Sequence, residues 1–273
     1  MSGMKVNKAL TIAGSDSGGG AGIQADLKTF QELGVYGMTA ITAITAQNTL
    51  GVQGVYPVSL EGITEQLNSI GTDLRPDAVK LGMLFSSEII QIVAEHINKF
   101  GWNNIVLDPV MIAKGGASLL QQEAVQALKE YLLPVATVVT PNVPEAKVLT
   151  GMEIHNIEDS KEAAKALHEL GAKYVLMKGG HAEYQGNEVV DLLFDGERFM
   201  EFKSERIPSK QTHGSGCTFA SAVTAGLAKG YSIEEAVLEA KQFISIAIEE
   251  PLNIGSGHGP TNHFAYKLNK AHV

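Results

Sequence analysis

Short apolar runs, many of them β-branched, alternate along this chain with longer segments whose apolar positions recur every three or four residues. Ala9-Leu-Thr-Ile-Ala13 predicts a first strand that ends in Gly14 to Gly22, a stretch too glycine-rich for regular structure. Ile23 to Leu33 then has helical spacing, with Ile23, Leu27, Phe30 and Leu33 on one face and Gly34 as its stop. Met38 to Ile44 predicts a second strand, ending in the polar turn Gln47-Asn48-Thr49. From there the alternation is regular. Helices are expected from about Leu60 to Ile70, Ser87 to Lys99, Gln121 to Leu132, Pro144 to Leu149 and Ser160 to Leu170, and strands at Ala78–Leu81, Ile105–Leu107, Thr137–Val139 and Tyr174–Met177.

Val189 to Phe202 breaks this rhythm, because two strand-like runs flank Asp195-Gly196, a dipeptide suited to a hairpin turn. Antiparallel strands are therefore expected at that edge of the sheet. Helices Cys217–Lys229 and Ile233–Glu249 follow, then a loop from Gly255 to Pro260. Apolar strands alternating with amphipathic helices predict an α/β fold, a three-layer sandwich whose mostly parallel sheet is covered on both faces. No repeat and no Pro/Ser-rich linker interrupts it, so the expectation is a single domain over residues 1–273.

Composition narrows the partners. Lys and Arg number 21 against 30 Asp and Glu, a formal charge of −9, and no basic cluster occurs, which argues against nucleic acid and anionic membrane. The one cysteine cannot form an internal disulfide, no apolar run approaches the roughly 20 residues of a membrane span, and no signal sequence is recognisable at the amino end. A cytoplasmic protein acting on a small molecule is expected.

Ligands of such sheets bind outside the carboxyl ends of the strands, and the chain's polar clusters fall there. These are Gly14 to Gly22, Gln47-Asn48, Gly82-Met83, Asp108-Pro-Val-Met111, Thr140-Pro-Asn142 with Glu145, and Lys178-Gly-Gly-His181. Gly20-Ala-Gly22 starts like a dinucleotide fingerprint, but no acidic residue ends the next strand to hold a ribose, and no Gly-Lys pair exists for a P-loop. That leaves Thr212-His-Gly-Ser-Gly-Cys217, which opens a helix. Its unpaired N–H groups and helix dipole suit an anion, and the same position is expected to lower the thiol pKa of Cys217. An ordinary glycine turn with a small buried thiol fits the same residues.

Asp108, Asn142 and Glu145 are oxygen ligands suited to Mg²⁺ held largely through water and phosphate, although Asp before Pro and Glu in a first helical turn have local reasons to be there. Lys178, ending an apolar strand, needs an anionic partner, which a nucleotide phosphate would supply. Asp26, early in the first helix, either favours the helix start or hydrogen-bonds a substrate. The loops at Gly14 to Gly22 and Gly115-Gly116 are reasonable lids.

Together these residues carry a resemblance. Thr212 to Cys217, Thr11-Ile-Ala-Gly-Ser-Asp16, Gly20-Ala-Gly-Ile-Gln-Ala-Asp-Leu-Lys-Thr-Phe30, Asp108 to Met111, Thr140-Pro-Asn-Val-Pro-Glu145 and Met177 to His181 resemble, in order and over nearly the whole chain, the hydroxymethylpyrimidine and phosphomethylpyrimidine kinases of thiamin synthesis. The resemblance implies a ribokinase-like fold, a homodimer, and ATP with Mg²⁺. It implies transfer of the γ-phosphoryl group first to 4-amino-5-hydroxymethyl-2-methylpyrimidine and then to its monophosphate.

By position, the resemblance makes Gly214, Ser215, Gly216 and Cys217 the anion hole, with Cys217 where sugar kinases of this fold place an aspartate base. It gives Gly14, Asp26, Gln47, Met83 and Val110 to the pyrimidine, Thr212, Asn142 and Lys178 to ATP, and Glu145 and Asp108 to the metal. Pyridoxal kinases that share the HGxGC loop are the alternative. They tend to carry an apolar residue where Gln47 stands, and an amide that donates and accepts matches an aminopyrimidine. A sensor that only binds nucleotide or vitamin precursor would need a broken site, and each matched position is filled.

Overall fold

The computed structural model describes residues 6–111, 122–182 and 186–271. Among them one nine-stranded sheet runs through the molecule in the order β3-β2-β1-β4-β5-β6-β7-β8-β9. The strands are β1 (Lys8–Asp16), β2 (Tyr36–Asn48), β3 (Gly51–Pro57), β4 (Ala78–Leu81), β5 (Ile105–Leu107), β6 (Val138–Val139), β7 (Tyr174–Met177), β8 (Glu188–Phe194) and β9 (Phe199–Glu205). From β2 to β7 all pairings are parallel; β3, β8 and β9 pair antiparallel at the two edges. The expected hairpin is the β8–β9 pair, with Phe194 opposite Phe199 across the Asp195-Gly196 turn.

Side-chain alternation explains why the central strands read as unbroken apolar runs. Leu10, Val79, Leu81, Leu107 and Val139 join one core, while Ala9, Ala78, Val106 and Val138 join the other. The first core is closed by α2 (Leu60–Asp73), α3 (Ser87–Phe100), α4 (Gln122–Ala127), α5 (Val143–Thr150) and α6 (Ile157–Glu169). The second is closed by α1 (Gly22–Glu32), α7 (Ser215–Ala228), α8 (Ile233–Glu249) and Tyr266 of α9 (Ala265–Ala271). Helix α7 is buried from Thr218 to Ala228, and at Gly226 a Cβ would sit 2.7 Å from the Cβ of Ala236, so small residues let α7 and α8 approach closely.

Four expectations need correction. β1 continues through Gly14 to Asp16, because Ser15 and Asp16 pair with Ile44 and Thr45 after a register shift at Ala13. Gln47 and Asn48 are strand residues, opposite Val52 and Gly51 of β3, in an edge ribbon too exposed to show an apolar pattern. After α4 the chain widens into a π-helical turn at Leu128–Leu132 and then tightens into a 3₁₀ turn at Leu133–Val135, rather than one continuous helix. Helix α9, which follows the last loop, was not anticipated. The Gly115-Gly116 lid lies outside the described residues.

Candidate active site

The carboxyl ends of the strands and the start of α7 enclose a cavity of about 920 Å³. Gly14, Gln47, Met83, Asp108, Val110, Asn142, Glu145, Lys178 and the whole stretch Thr212–Cys217 line it; of the residues assigned from sequence, Asp26 alone does not.

Two glycine loops form one wall. Gly214 is the N-cap of α7 at φ +79°, and a Cβ there would collide with the Gly20 carbonyl. Gly22, at φ +56°, would likewise collide with the Gly14 carbonyl. These two positions need glycine for both backbone angle and space. Asp16 fastens the loops together: its Oδ1 accepts from the Gly18 N–H at 2.8 Å, and its Oδ2 from Gly20 at 3.0 Å, Ala21 at 2.8 Å and His213 Nε2 at 2.9 Å. Burial pushes the Asp16 carboxyl up, but the His213 hydrogen bond and the Ala21 and Gly18 amides outweigh it, and the net shift is down. The Gln47 amide nitrogen lies 3.2 Å from the same His213 Nε2.

Fewer N–H groups at the start of α7 face an anion than the sequence suggests. Ser215 N–H already donates to the Thr212 carbonyl at 3.2 Å, and the helical ladder begins with Thr218 N–H on the Gly214 carbonyl at 2.8 Å. Gly216 and Cys217 N–H therefore precede any intrahelical acceptor. The expected lowering of the Cys217 thiol does not hold. Burial pushes it up to about 11; Lys80 opposes this, Asp26 and Asp108 add to it, and the Gly22 N–H opposes it in turn. Desolvation with two nearby carboxylates outweighs the helix end.

Opposite the hole, Lys178 Nζ donates to Asp108 Oδ1 at 2.7 Å and lies 3.8 Å from Glu145 Oε2. Burial lowers the ammonium pKa, but Asp108 and Glu145 more than compensate and carry it to about 12. Asp108, 2 % exposed, is thus engaged as the counter-charge of Lys178. Burial, reinforced by Asp108, holds the Glu145 carboxyl above its ordinary range despite Lys178. Asn142 and Glu145 also form a reciprocal capping box at the start of α5, each side chain accepting from the other's N–H at 2.8–2.9 Å. Among the described residues no group of three or more His, Cys, Asp or Glu side chains is placed to hold a metal. This donor set suits a hard cation sharing one carboxylate with phosphate and water, not an all-protein cage.

Asp26 lies beneath the cavity, fully buried. Its oxygens accept from Thr11 Oγ1 and Ser221 Oγ, each at 2.6 Å, and from Lys80 Nζ at 3.0 Å, so it holds other side chains rather than touching the space a substrate would fill. Sequence reasoning missed Lys80 and a second buried pair, Lys241 Nζ on Asp191 Oδ2 at 2.6 Å, whose Asp191 Oδ1 accepts from Gly179 N–H beside Lys178. The available signal was a lone lysine inside an apolar run, at Ala78-Val-Lys-Leu81 and within α8. The Asp16–His213 link spans 197 residues and left no local signal.

With this geometry in place, comparison with known proteins is decisive. A sequence model of the phosphomethylpyrimidine kinase family matches residues 16–262. The chain belongs to that family. It is 58% identical to a hydroxymethylpyrimidine/phosphomethylpyrimidine kinase of Bacillus subtilis (strain 168) over 97% of this chain and 98% of that protein. The fold superposes on the ADP complex of B. subtilis pyridoxal kinase with a TM-score of 0.90 at 48% identity, covering 97% and 100% of the two chains. It also superposes on Staphylococcus aureus pyridoxal kinase in complex with AMP-PCP and pyridoxal, with a TM-score of 0.88 at 41% identity and 96% and 95% coverage. The fold is ribokinase-like, as expected, and the chain is a kinase that uses ATP.

Proposed function

We propose that this protein transfers the γ-phosphoryl group of ATP to 4-amino-5-hydroxymethyl-2-methylpyrimidine and then to the resulting monophosphate, yielding the diphosphate used in thiamin synthesis. The observation that carries this reading is the position of Gln47, an amide on the cavity wall 3.2 Å from His213, whose neighbour Gly214 caps the anion-hole helix. An amide can donate to a ring nitrogen and accept from an exocyclic amine at once. Gly14, Met83 and Val110 complete that end of the cavity.

In each transfer the bond from the γ-phosphorus to its bridging oxygen breaks, the acceptor oxygen bonds phosphorus, and ADP leaves. The amides of Gly216 and Cys217 stabilise charge on the phosphoryl oxygens, and Lys178, Asn142 and Thr212, which line the same cavity, orient the nucleotide. Glu145 would hold Mg²⁺ together with the phosphates, and the ion would neutralise charge there. Cys217 takes the proton of the hydroxyl acceptor.

We further read the protein as a cytoplasmic homodimer of one domain. Cross-strand neighbours Ile44 and Tyr56 on the β2–β3 edge are 54% and 64% exposed, an apolar face suited to a second copy, and a lone functional thiol suits a reducing compartment. Among the described residues no helix is long and apolar enough to cross a membrane.

Incubation with ATP, Mg²⁺ and either the hydroxymethylpyrimidine or pyridoxal, following ADP release, tests the reading. Faster turnover of pyridoxal would replace it with a pyridoxal kinase, which the likeness to the B. subtilis enzyme keeps as the second reading. Absence of ADP release with both would leave a binding protein.

A further inference from the structure

Lys80 is a charged residue in the middle of the sheet. It sits on β4, is fully buried, and borders the cavity that Cys217 also lines. Its surroundings are made for an ammonium: a Cβ at Gly82 would stand 2.7 Å from Nζ, so the glycine leaves the space that the charge occupies. Among the described residues Asp26 is the one carboxylate within ion-pair distance, at 3.0 Å. Asp26 is itself fixed by Thr11 of β1 and Ser221 of α7.

Ser221 is four residues beyond Cys217 on α7, so the two share a helix face, and through Ser221 the Asp26–Lys80 pair is tied to that face. We propose that Lys80 is a positioning residue whose charge favours the thiolate of Cys217 over the thiol, and that Asp26 determines how much of that charge the sulfur feels. The idea rests on the reading that Cys217 deprotonates the hydroxyl acceptor. In that step the acceptor O–H breaks as its oxygen bonds the γ-phosphorus, the proton passes to Sγ, and ADP leaves. The reacting form is the minor thiolate, which becomes a neutral thiol in the step while Lys80 stays protonated.

The charged and polar groups facing the sulfur come from four elements: Lys80 from β4, Asp26 and the Gly22 N–H from α1, Asp108 just past β5, and Lys178 just past β7 toward Gly216. Lys80 opposes burial more strongly than any other of them, and the two carboxylates act against it.

Because the chain has one cysteine, the rate of alkylation by iodoacetamide reports Cys217 alone and needs no substrate. Below its midpoint the rate follows the thiolate fraction, so it is read between pH 7 and 9 on the folded, ligand-free protein. Lys80→Met should react at least about tenfold more slowly than the wild type, the equivalent of one pKa unit. Lys80→Arg should stay within about threefold, and Asp26→Asn, which removes the opposing charge and keeps the shape, should react several-fold faster. Lys80→Met reacting as fast as the wild type overturns the proposal, and so does an Asp26→Asn rate that falls. Should Lys80→Met fail to fold by its thermal melt, the Asp26→Asn rate decides alone. In turnover, Lys80→Met should lose more with the hydroxyl acceptor than with the monophosphate. Shifted alkylation rates in variants of a protein that releases no ADP with the pyrimidine support the coupling and reject only the assigned reaction.

Discussion

Asp16 Oδ2 accepts a hydrogen bond from His213 Nε2 at 2.9 Å, joining the loop after β1 to the loop before α7. Three backbone N–H groups of Gly18, Gly20 and Ala21 converge on the same carboxylate, so this wall of the cavity is organised by one side chain. Asp16→Ala strands these donors, each costing about 1–3 kcal/mol where it stays dry. The variant is expected to lose about 3 kcal/mol of stability in urea melts and about 10–100-fold in kcat/KM through misplacement of the anion hole. A variant with an unchanged melt and full activity would show that the loops hold their shape without the clasp.

Gly214 has less latitude. At φ +79° any side chain is strained, and the first carbon would meet the Gly20 carbonyl, so the loops must part to admit it. Gly214→Ala should lower kcat for both transfers by at least about 100-fold, while Gly180→Ala, with open space around its Cβ, should change kcat less than threefold or so. Steady-state rates for the pair of variants give the comparison.

Substrate choice should reside at Gln47. Replacing its amide by an apolar group removes the donor–acceptor match with an aminopyrimidine, a loss of about 1–3 kcal/mol, or 5–150-fold in kcat/KM. Gln47→Leu is expected to fall by that amount with the hydroxymethylpyrimidine while holding or gaining activity with pyridoxal. A parallel fall with both acceptors would place the specificity elsewhere.

His263 gives the fold an acid limit. Burial, helped by the charge of Lys28, pulls its pKa down to about 4, and the ring nitrogen Nε2 lies 2.9 Å from the Thr218 hydroxyl beside Cys217. The unfolded chain protonates this ring near 6.5, so the neutral ring costs nothing above that pH. Between about 6.5 and 4 the unfolded state gains a proton that the folded state refuses, and stability falls by up to about 3 kcal/mol. Urea midpoints at pH 7.5 and pH 4.5 should differ less in His263→Gln than in the wild type. An equal difference would assign the acid sensitivity to the carboxylates.

Much of this was legible in the sequence, for identifiable reasons. Strands β4, β5 and β7 are recovered to the residue, because they are buried on both faces and bounded by helices of clear period. Strand β3 was missed, since Gly51–Pro57 is an edge strand with few buried positions and so carries no apolar signature. The cavity wall was legible because a parallel sheet puts every strand exit on one edge, which gathers Gly14, Gln47, Met83, Asp108 and Lys178 without further information. What the wall rests on was not. Asp26 reads locally as an ordinary early-helix aspartate, and only the fold brings it against Lys80, 54 residues away, and Ser221, 195 residues away. Likewise, the helix start at Cys217 predicts a lowered thiol, whereas the burial that overrules it, reinforced by Asp26 and Asp108, is created by distant segments.

The thiol's pKa separates the two transfers. With the sulfur near 11, roughly one molecule in ten thousand carries the thiolate at pH 7. A hydroxyl acceptor must lose its proton during transfer, so its rate should climb with pH between 6 and 9. The monophosphate acceptor has a second pKa near 6 and offers an ionised oxygen above it, so its rate should level off by about pH 7. On the proposed mechanism the amides of Gly216 and Cys217 serve both reactions, because both build charge on the same phosphoryl oxygens. Cys217→Ala should therefore slow the first phosphorylation by about 100-fold, within the range of general-base catalysis, and the second by no more than a few-fold. Separate pH–rate profiles for each acceptor, in wild type and variant, measure this. Equal losses, or a first-step profile that is already flat at pH 7 in the wild type, would remove Cys217 from proton transfer and leave its helix end as the catalytic element.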